Sequence, residues 1–312
     1  MDYKSIKSQY KSRSQLESLA AGLSLTTKSL REKRIAVQSA HDAELDKARA
    51  EAGREAVLSS LVYASRIQKN LLPGDSAFQK AFSDFSVIWH PRDIVSGDIY
   101  WIKNFEDGAV LCVCDCTGHG TPGALLTMLV VSAFAVIVNE MTYKDTALIM
   151  RMLDERLAGA LYDSSDGEKR DMSDIKDGCD LAVLFISKRG NVSFSSANFP
   201  IFICDGKDVQ HIKGQKLFVG EGKISSDEVK TTFIPANPAN KFYVSSDGMF
   251  DQKGGERLLP FGYSIFKKII LENHYETQSV ISDKIWTVFE LYRGKQPRKD
   301  DFELISFKPK TI

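Results

Sequence analysis

The chain has 312 residues, of which 43% are hydrophobic and 26% are charged, and its formal net charge is zero. A chain of this length can bury one substantial core of about 230 residues together with an accessory element. The neutral charge argues against a nucleic-acid-binding protein, because such proteins normally carry a basic excess or a basic face.

The N-terminus is polar and charged and does not have the apolar segment of a signal peptide. The five cysteines lack the CxxC spacing of structural zinc sites; they are Cys112, Cys114, Cys116, Cys179 and Cys204. An odd number of cysteines without a secretory signal is typical of reduced thiols. We therefore expect a cytoplasmic protein.

The first 72 residues differ in composition from the rest, since they contain no proline and are rich in Lys, Arg, Glu, Ala and Leu. Four apolar residues recur at intervals of seven, namely Leu16, Leu23, Leu30 and Val37. This heptad is imperfect because Lys33 and Glu44 interrupt it. We predict a helical hairpin or bundle that forms a homodimer, rather than a strict long coiled coil.

A second helical stripe covers residues 51–72 and ends at Pro73 and Gly74. The Pro73-Gly74 pair after this helix predicts a boundary between two domains. Residues 1–73 form a helical regulatory and dimerisation region that includes a linker helix, and residues 74–312 form the main domain.

From Ala81 onward, short β segments alternate with helices. Residues 108–116 are apolar on both faces of a strand and predict a buried one, and we expect 218–222 and 229–236 to extend the sheets. Two helix pairs are predicted, over 123–140 with 144–161 and over 265–273 with 278–293. Strands in two groups with helices between and after them predict an α+β fold with two stacked sheets flanked by helix pairs.

The run from Gly123 to Val138 is uncharged, but its sixteen residues are fewer than the roughly 20 that span a bilayer. We therefore predict a buried core helix and no membrane span. Residues 162–177 are polar and rich in Gly, Ser and Asp, which predicts a mobile loop.

Several aspartates stand where predicted strands begin or end. Asp98 and Asp115 lie beside glycines, Asp247 follows a strand, and Asp300 and Asp301 precede the last strand. Carboxylates brought to one edge of a sandwich repel one another unless cations lie between them. Oxygen ligands without histidine select Mg²⁺ or Mn²⁺ over Zn²⁺, although any single Asp of this kind is equally typical of a turn.

Four motifs in order, SGDIYW, VCDCTGHGTPGALLTM, VSSDGMFDQ and RKDDFELISF, resemble those of the PPM-type metal-dependent Ser/Thr protein phosphatases. The similarity is to the SpoIIE/RsbU group, and to its SiaA-like members in particular, and it covers Phe82 to Lys308. It implies an αββα sandwich of two antiparallel sheets flanked by helix pairs. It also implies hydrolysis of phosphoserine or phosphothreonine by a water activated between two Mn²⁺ or Mg²⁺ ions.

The resemblance also implies the roles of individual residues. The metal ligands carried over from the motifs are Asp98, Asp115, the backbone carbonyl of Cys116, Asp247 and Asp300. Asp301 matches a supporting position, and which member of the Asp300 and Asp301 pair binds metal stays open. The last motif departs from the family at Glu303, where threonine is common.

Three further residues are candidates for contacting the substrate. Arg92 suits a phosphate, or it forms a salt bridge with Asp93 or another surface acid. A histidine side chain can donate a proton to a leaving group near neutral pH, which makes His119 a candidate, although we favour a turn residue between two glycines. Asp180, with Asp177, is a candidate for a third metal ion or for positioning the substrate, or it simply leads into a strand.

The resemblance implies a phosphatase that acts on a small anti-sigma-factor antagonist of the STAS-like type, in partner-switching signalling, and this is the function we favour. Residues 64–73 resemble the linker that couples regulatory modules to catalysis in this group, or they simply pack on the core. The alternative function is a catalytically weak, phosphatase-like interaction or sensor module. A nucleic-acid phosphodiesterase is disfavoured by the neutral charge.

Overall fold

The computed structural model describes residues 3–140, 143–162 and 177–311. The helices are α1 (Tyr3–Leu71), α2 (Asp75–Ala81), α3 (Thr121–Glu140), α4 (Thr146–Tyr162), α5 (Asp247–Phe250), α6 (Gly262–Glu272) and α7 (Gln278–Arg293). The strands are β1 (Phe82–His90), β2 (Asp98–Phe105), β3 (Gly108–Cys116), β4 (Cys179–Ser187), β5 (Val192–Ala197), β6 (Ile201–Cys204), β7 (Val209–Ile212), β8 (Thr232–Ile234), β9 (Lys241–Ser245), β10 (Lys253–Gly254), β11 (Leu259–Pro260) and β12 (Phe302–Pro309). They form two compact units, Met1–Ser60 and Leu61–Ile312.

The N-terminal region is one continuous helix, α1, so the predicted helical hairpin is wrong. Gly22 and Gly53 do not interrupt it, because a glycine in a helix costs only about 1 kcal/mol relative to alanine. Proline is the residue that ends a helix, and the first one in the chain is Pro73. The domain division predicted at that proline stays a prediction.

Within the first unit, three of the four predicted heptad residues have side chains that lie in solvent. Leu23, Leu30 and Val37 expose 64%, 62% and 70% of their surface. A helix that is this exposed gains little stability from packing within its own chain. These side chains are therefore available for a contact outside the unit.

In the second unit, two five-stranded antiparallel sheets form the centre. Sheet one has the order β1-β12-β9-β6-β7 and sheet two the order β2-β3-β4-β5-β8. The expectation that 218–222 extends a sheet is wrong, because only Val219 forms a bridge there, with Cys179. Residues 253–260 contain the small β10-β11 hairpin.

Three hydrophobic layers separate four layers of secondary structure, which confirms the α+β fold and the αββα sandwich. Strand β3 shows the cause: Val110, Cys112 and Cys114 pack towards α3 and α4, while Leu111 and Val113 pack towards sheet one. A third cluster lies between sheet one and the helices α6 and α7. Because side chains alternate along a strand, a doubly apolar strand is held between two cores.

Helix α3 is the one helix in the described ranges that is long and apolar enough to cross a membrane, and half of its window Thr121–Val138 is buried. Val130, Phe134 and Ile137 of this helix belong to the core against sheet two. A core helix of a soluble domain has the same composition, so α3 fits the predicted core helix. Most of the loop predicted over 162–177 lies outside the described residues.

Candidate active site

Sheet two places three acids in one row. Asp98 at the start of β2 is the register partner of Asp115 near the end of β3, and Asp115 is in turn the partner of Asp180 on β4. Side chains directly opposite on neighbouring antiparallel strands have Cβ atoms about 5 Å apart. All three share the strand face that packs against sheet one, as Val113 and Ala182 do.

Sheet one brings further acids to the same edge. Asp247 follows β9, Asp300 and Asp301 precede β12, and these two strands are paired neighbours. Burial, together with the nearby charges of Asp247 and Asp300, raises the pKa of Asp115 well above its ordinary value. The structure thus brings the sequence-predicted acids of both sheets close to one another.

Asp98 is held in place by its neighbours. Its side chain is buried, and Ser246 Oγ donates to its Oδ2 atom at 2.7 Å. Trp89 Nε1 donates to its backbone carbonyl at 2.9 Å. Burial, and secondly the charge of Asp115, raise the pKa of Asp98 because the ionised form is poorly solvated there.

The two adjacent acids before β12 differ in their contacts. Asp301 Oδ1 accepts from the backbone N–H of Arg92 at 2.6 Å, and its Oδ2 accepts from the N–H of Gly97 at 2.7 Å. Asp300 accepts from the N–H of Asp301, at 2.9 Å, and from no other group among the described residues. Asp301 therefore fastens the 92–97 loop, whereas the charge of Asp300 acts on Asp115 and Asp247.

The segment before Asp98 and the segment after Asp115 touch at Gly97. A Cβ atom there would lie 2.6 Å from the carbonyl oxygen of Gly118 and 3.1 Å from that of Cys116. Contacts this short leave no room for a side chain, so the site requires glycine. The backbone N–H of Cys116 donates to the Gly97 carbonyl at 3.0 Å, and this pairing fixes the carbonyl predicted to bind metal.

The three substrate candidates have partners within the protein. Arg92 Nη1 donates to the Lys299 carbonyl at 2.9 Å, and Asp93 instead lies 3.1 Å from His119 Nδ1. His119 follows Gly118, which has a positive φ of 83°, so it does stand in a glycine turn. Asp180 accepts from Asn198 at 2.8 Å, and burial raises its pKa to about 6.

A contact that sequence reasoning missed connects α1 to the acidic edge within the second unit. Gln68 is 2% exposed and donates to the Ser96 carbonyl at 2.7 Å and to Thr127 Oγ1 at 2.9 Å. It also accepts the Ser96 N–H at 3.0 Å, and Ser96 Oγ accepts from the N–H of Asp98. The end of α1 therefore packs on the core, as one of the two interpretations of residues 64–73 expected.

Arg298 was also missed by sequence reasoning. Its guanidinium donates to the carbonyls of His90 and Pro91, and it thereby joins the segment before β12 to the end of β1. A lone arginine in a loop gives no sequence signal for such a backbone contact. The same holds for Ser246, whose hydroxyl orients Asp98.

The residues at this edge fit a hard divalent cation by their chemistry. They offer carboxylate and carbonyl oxygens, which Mg²⁺ and Mn²⁺ prefer. Both carboxylate oxygens of Glu303 are buried there without a hydrogen-bond partner among the described residues. In the described part of the chain, no three His, Cys, Asp or Glu side chains already stand close enough to hold a metal ion together.

The four-layer fold and the acidic edge together define a PP2C-type phosphatase domain. Residues 106–310 match the family model SpoIIE, Stage II sporulation protein E. The chain belongs to this family, and the resemblance predicted from the four motifs is confirmed. No curated protein sequence matches the chain.

Solved structures agree with this assignment. The SiaA-PP2C domain of Pseudomonas aeruginosa is 28% identical, with a TM-score of 0.73 over 82% of this chain and 98% of that one. The PP2C domain of SpoIIE from Bacillus subtilis, with a fragment of its regulatory domain, is 16% identical, with a TM-score of 0.55 over 72% of this chain and 62% of that one. RsbX, in complex with magnesium, is 15% identical, with a TM-score of 0.50 over 72% of this chain and 93% of that one.

Proposed function

We propose that this protein is a cytoplasmic, metal-dependent protein phosphatase that hydrolyses phosphoserine or phosphothreonine on a small STAS-like anti-sigma-factor antagonist. The observation that carries the proposal is the convergence of acids from two sheets on one edge, Asp98 and Asp301 among them buried, within a PP2C-type fold. Mutual repulsion of such acids destabilises the protein unless a cation balances it. A partner-switching role is in keeping with the SpoIIE family.

Four side chains and one carbonyl would hold two ions, namely Asp98, Asp115, Asp247, Asp300 and the carbonyl of Cys116. When bound, two Mn²⁺ or Mg²⁺ ions activate water for attack on a phosphate ester. Asp301 keeps the 92–97 loop against this edge through two backbone N–H groups. Ser246 keeps the Asp98 carboxylate aimed at its neighbours.

Asp180 extends the row of acids beyond Asp115 and is the candidate for a third ion or for positioning the substrate. Arg92 and His119 lie on the segments next to the acids, and His119 is held by Asp93 at 3.1 Å. Because the side chains of His119 and Asp93 are both 47% exposed, they are accessible to a phosphoprotein docking at this edge.

The first unit would form a homodimer through α1, with a second copy of the chain as its partner. The exposed Leu23, Leu30 and Val37 at heptad spacing carry this part of the proposal. Light scattering should show a dimer that the double substitution Leu23→Glu and Leu30→Glu converts to a monomer. A monomeric unsubstituted chain would contradict it.

The test of the enzymatic proposal is phosphate release from a phosphorylated STAS-like protein and from p-nitrophenyl phosphate. Release should require Mn²⁺ or Mg²⁺, stop in EDTA, and disappear in Asp115→Ala. Asp208→Ala, an exposed acid in the β6–β7 turn, is the matched control and should keep full activity. Unchanged turnover in Asp115→Ala rules the proposal out.

A phosphatase-like interaction or sensor module is the second candidate, and the departure at Glu303 is the observation that favours it. Such a module would bind a phosphoprotein without releasing phosphate and would bind Mn²⁺ poorly. Calorimetric titration of the full chain with Mn²⁺ separates the two candidates.

A further inference from the structure

Glu303 is a fully buried acid with no visible structural purpose. Its exposure is 0%, and neither carboxylate oxygen has a hydrogen-bond partner among the described residues. Burying a carboxyl group without a hydrogen-bond partner destabilises a protein. A buried carboxyl group without a partner calls for an explanation, such as a ligand that is bound in the working protein.

Glu303 lies directly beneath the acidic edge. It shares the inward face of β12 with Ile305 and Phe307, which pack in the core between the sheets. Its backbone N–H donates to Ser246 Oγ at 3.1 Å, and that same hydroxyl donates to Asp98 Oδ2 at 2.7 Å. One serine thus connects the residue to the Asp98 carboxylate.

The electrostatic surroundings of Glu303 are those of the proposed metal site. Burial, followed by the charges of Asp115 and Asp301, raises the pKa of Glu303 well above its ordinary value. The charge of Glu303 in turn contributes to the raised pKa of Asp98. Negative charges accumulated in this way favour a divalent cation among them.

The backbone groups of Glu303 form their hydrogen bonds without help from its side chain. Its carbonyl accepts from Ser245 Oγ at 2.7 Å and from the Ser246 N–H at 3.1 Å. An apolar residue at this position would continue the inward pattern of β12 without a desolvation cost. The carboxylate is therefore best explained by a ligand that reaches it from the acidic edge.

We propose that Glu303 is an additional carboxylate ligand of the metal site, which binds a divalent cation together with Asp98 from the side of the inter-sheet core. The inference rests on the proposed metal-dependent function and adds a residue where the family pattern has threonine. It implies that Glu303 strengthens cation binding and weakens the metal-free fold.

The experiment is Mn²⁺ titration by calorimetry, with thermal unfolding, of the full-length protein stripped of metal by EDTA. Glu303→Gln should weaken Mn²⁺ binding by about 10- to 100-fold, the range seen when residues supporting a metal are lost. Metal-free Glu303→Gln should unfold at a higher temperature than the unsubstituted protein, and added Mn²⁺ should raise that temperature less. Glu272→Gln, an exposed acid on α6 with the same charge change, should alter neither measurement.

Glutamine has the shape of a protonated glutamate, so a Glu303 that is merely a neutral core residue predicts unchanged Mn²⁺ affinity in Glu303→Gln. That result overturns the inference. Glu303→Thr, which restores the common family residue, should also bind Mn²⁺ more weakly. It provides a second test if the glutamine variant folds poorly.

Failure of the underlying function gives a different pattern. If the unsubstituted protein binds no Mn²⁺, the metal-dependent function itself fails, and this inference fails with it. If the unsubstituted protein binds Mn²⁺ and Asp115→Asn abolishes the binding while both Glu303 variants retain it, only the role of Glu303 is overturned.

Discussion

The two sheets bring their acids to the common edge by different means. In sheet two, the register of β2, β3 and β4 alone aligns Asp98, Asp115 and Asp180 in a row. In sheet one, Asp247 and Asp300 lie just outside β9 and β12. The position of Asp300 depends on side-chain hydrogen bonds to the backbone of neighbouring loops, such as those made by Asp301 and Arg298, and Asp247 begins the short helix α5.

This difference separates robust from fragile parts of the site. A strand register is fixed by two buried faces, since a slip of one residue would turn every apolar side chain outward. A loop position depends on a few hydrogen bonds, each contributing about 1.5–3 kcal/mol when a charged group takes part. Substitutions of the sheet-two acids should therefore leave the backbone of the site in place, whereas some substitutions in sheet one should also loosen a loop and lower stability.

The largest expected effect tests whether the acids of the two sheets form one site. Asp98→Asn in sheet two and Asp247→Asn in sheet one should each lower Mn²⁺-dependent phosphate release more than about 100-fold, beyond the loss typical of residues that only support a ligand. Asp208→Asn is the matched control. If Asp247→Asn keeps most of the activity, sheet one does not contribute to the site as proposed.

The next prediction distinguishes the adjacent acids before β12. Asp301→Asn should lower the free energy of unfolding by about 1–3 kcal/mol, because the amide group cannot accept both backbone N–H groups. Asp300→Asn should leave stability nearly unchanged and instead remove activity. Urea unfolding in EDTA and phosphate release measure the two effects. A reversal of the pattern would make Asp301 the ligand and Asp300 the support.

Much of the second unit could be predicted from the sequence because its signals are local. The doubly apolar β3, the two helix pairs and the acids at strand ends each follow from short patterns, and the four motifs fixed their order. The antiparallel register of β2 and β3 then places Asp98 opposite Asp115, so this pair depends on no contact outside the two strands.

The remaining features depend on distant contacts or on the absence of a local signal. Gln68 and Ser96 are 28 residues apart, and Arg92 and Asp301 are 209 residues apart, so no pattern in either segment indicates the pairing. The helical hairpin was predicted from a flawed heptad, but imperfect heptad residues alone do not supply a turn. The sequence marks Glu303 only as a departure from the family motif, because burial without a hydrogen-bond partner is a property of the folded protein.

A smaller effect concerns pH and the end of the sheet-two row. Burial raises the pKa of Asp180 to about 6, above its value of about 3.9 in an unfolded chain. Between pH 4 and 6 the unfolded chain has lost this proton while the folded protein retains it, so stability falls as pH rises through this range. The effect of this residue is complete above about pH 6.

Metal-free Asp180→Asn should therefore gain stability relative to the unsubstituted protein as pH rises from 4 to 7. The gain is at most about 3 kcal/mol, and partial solvation of this carboxyl reduces it. Thermal unfolding in EDTA across this range measures the difference. A constant difference at all pH values would mean that the Asp180 carboxyl ionises in the folded protein as it does in water.

The smallest expected effect is that of Cys116→Ala. The proposed ligand at this position is the backbone carbonyl, and the side chain is buried in the core beneath α3, so turnover should change less than about threefold. Gly97→Ala is the informative contrast, because its Cβ atom would press on that carbonyl at 3.1 Å and should reduce activity far more. If Cys116→Ala lost activity as severely as Gly97→Ala, the thiol itself would take part, and the site would not be the oxygen-only site that its acids indicate.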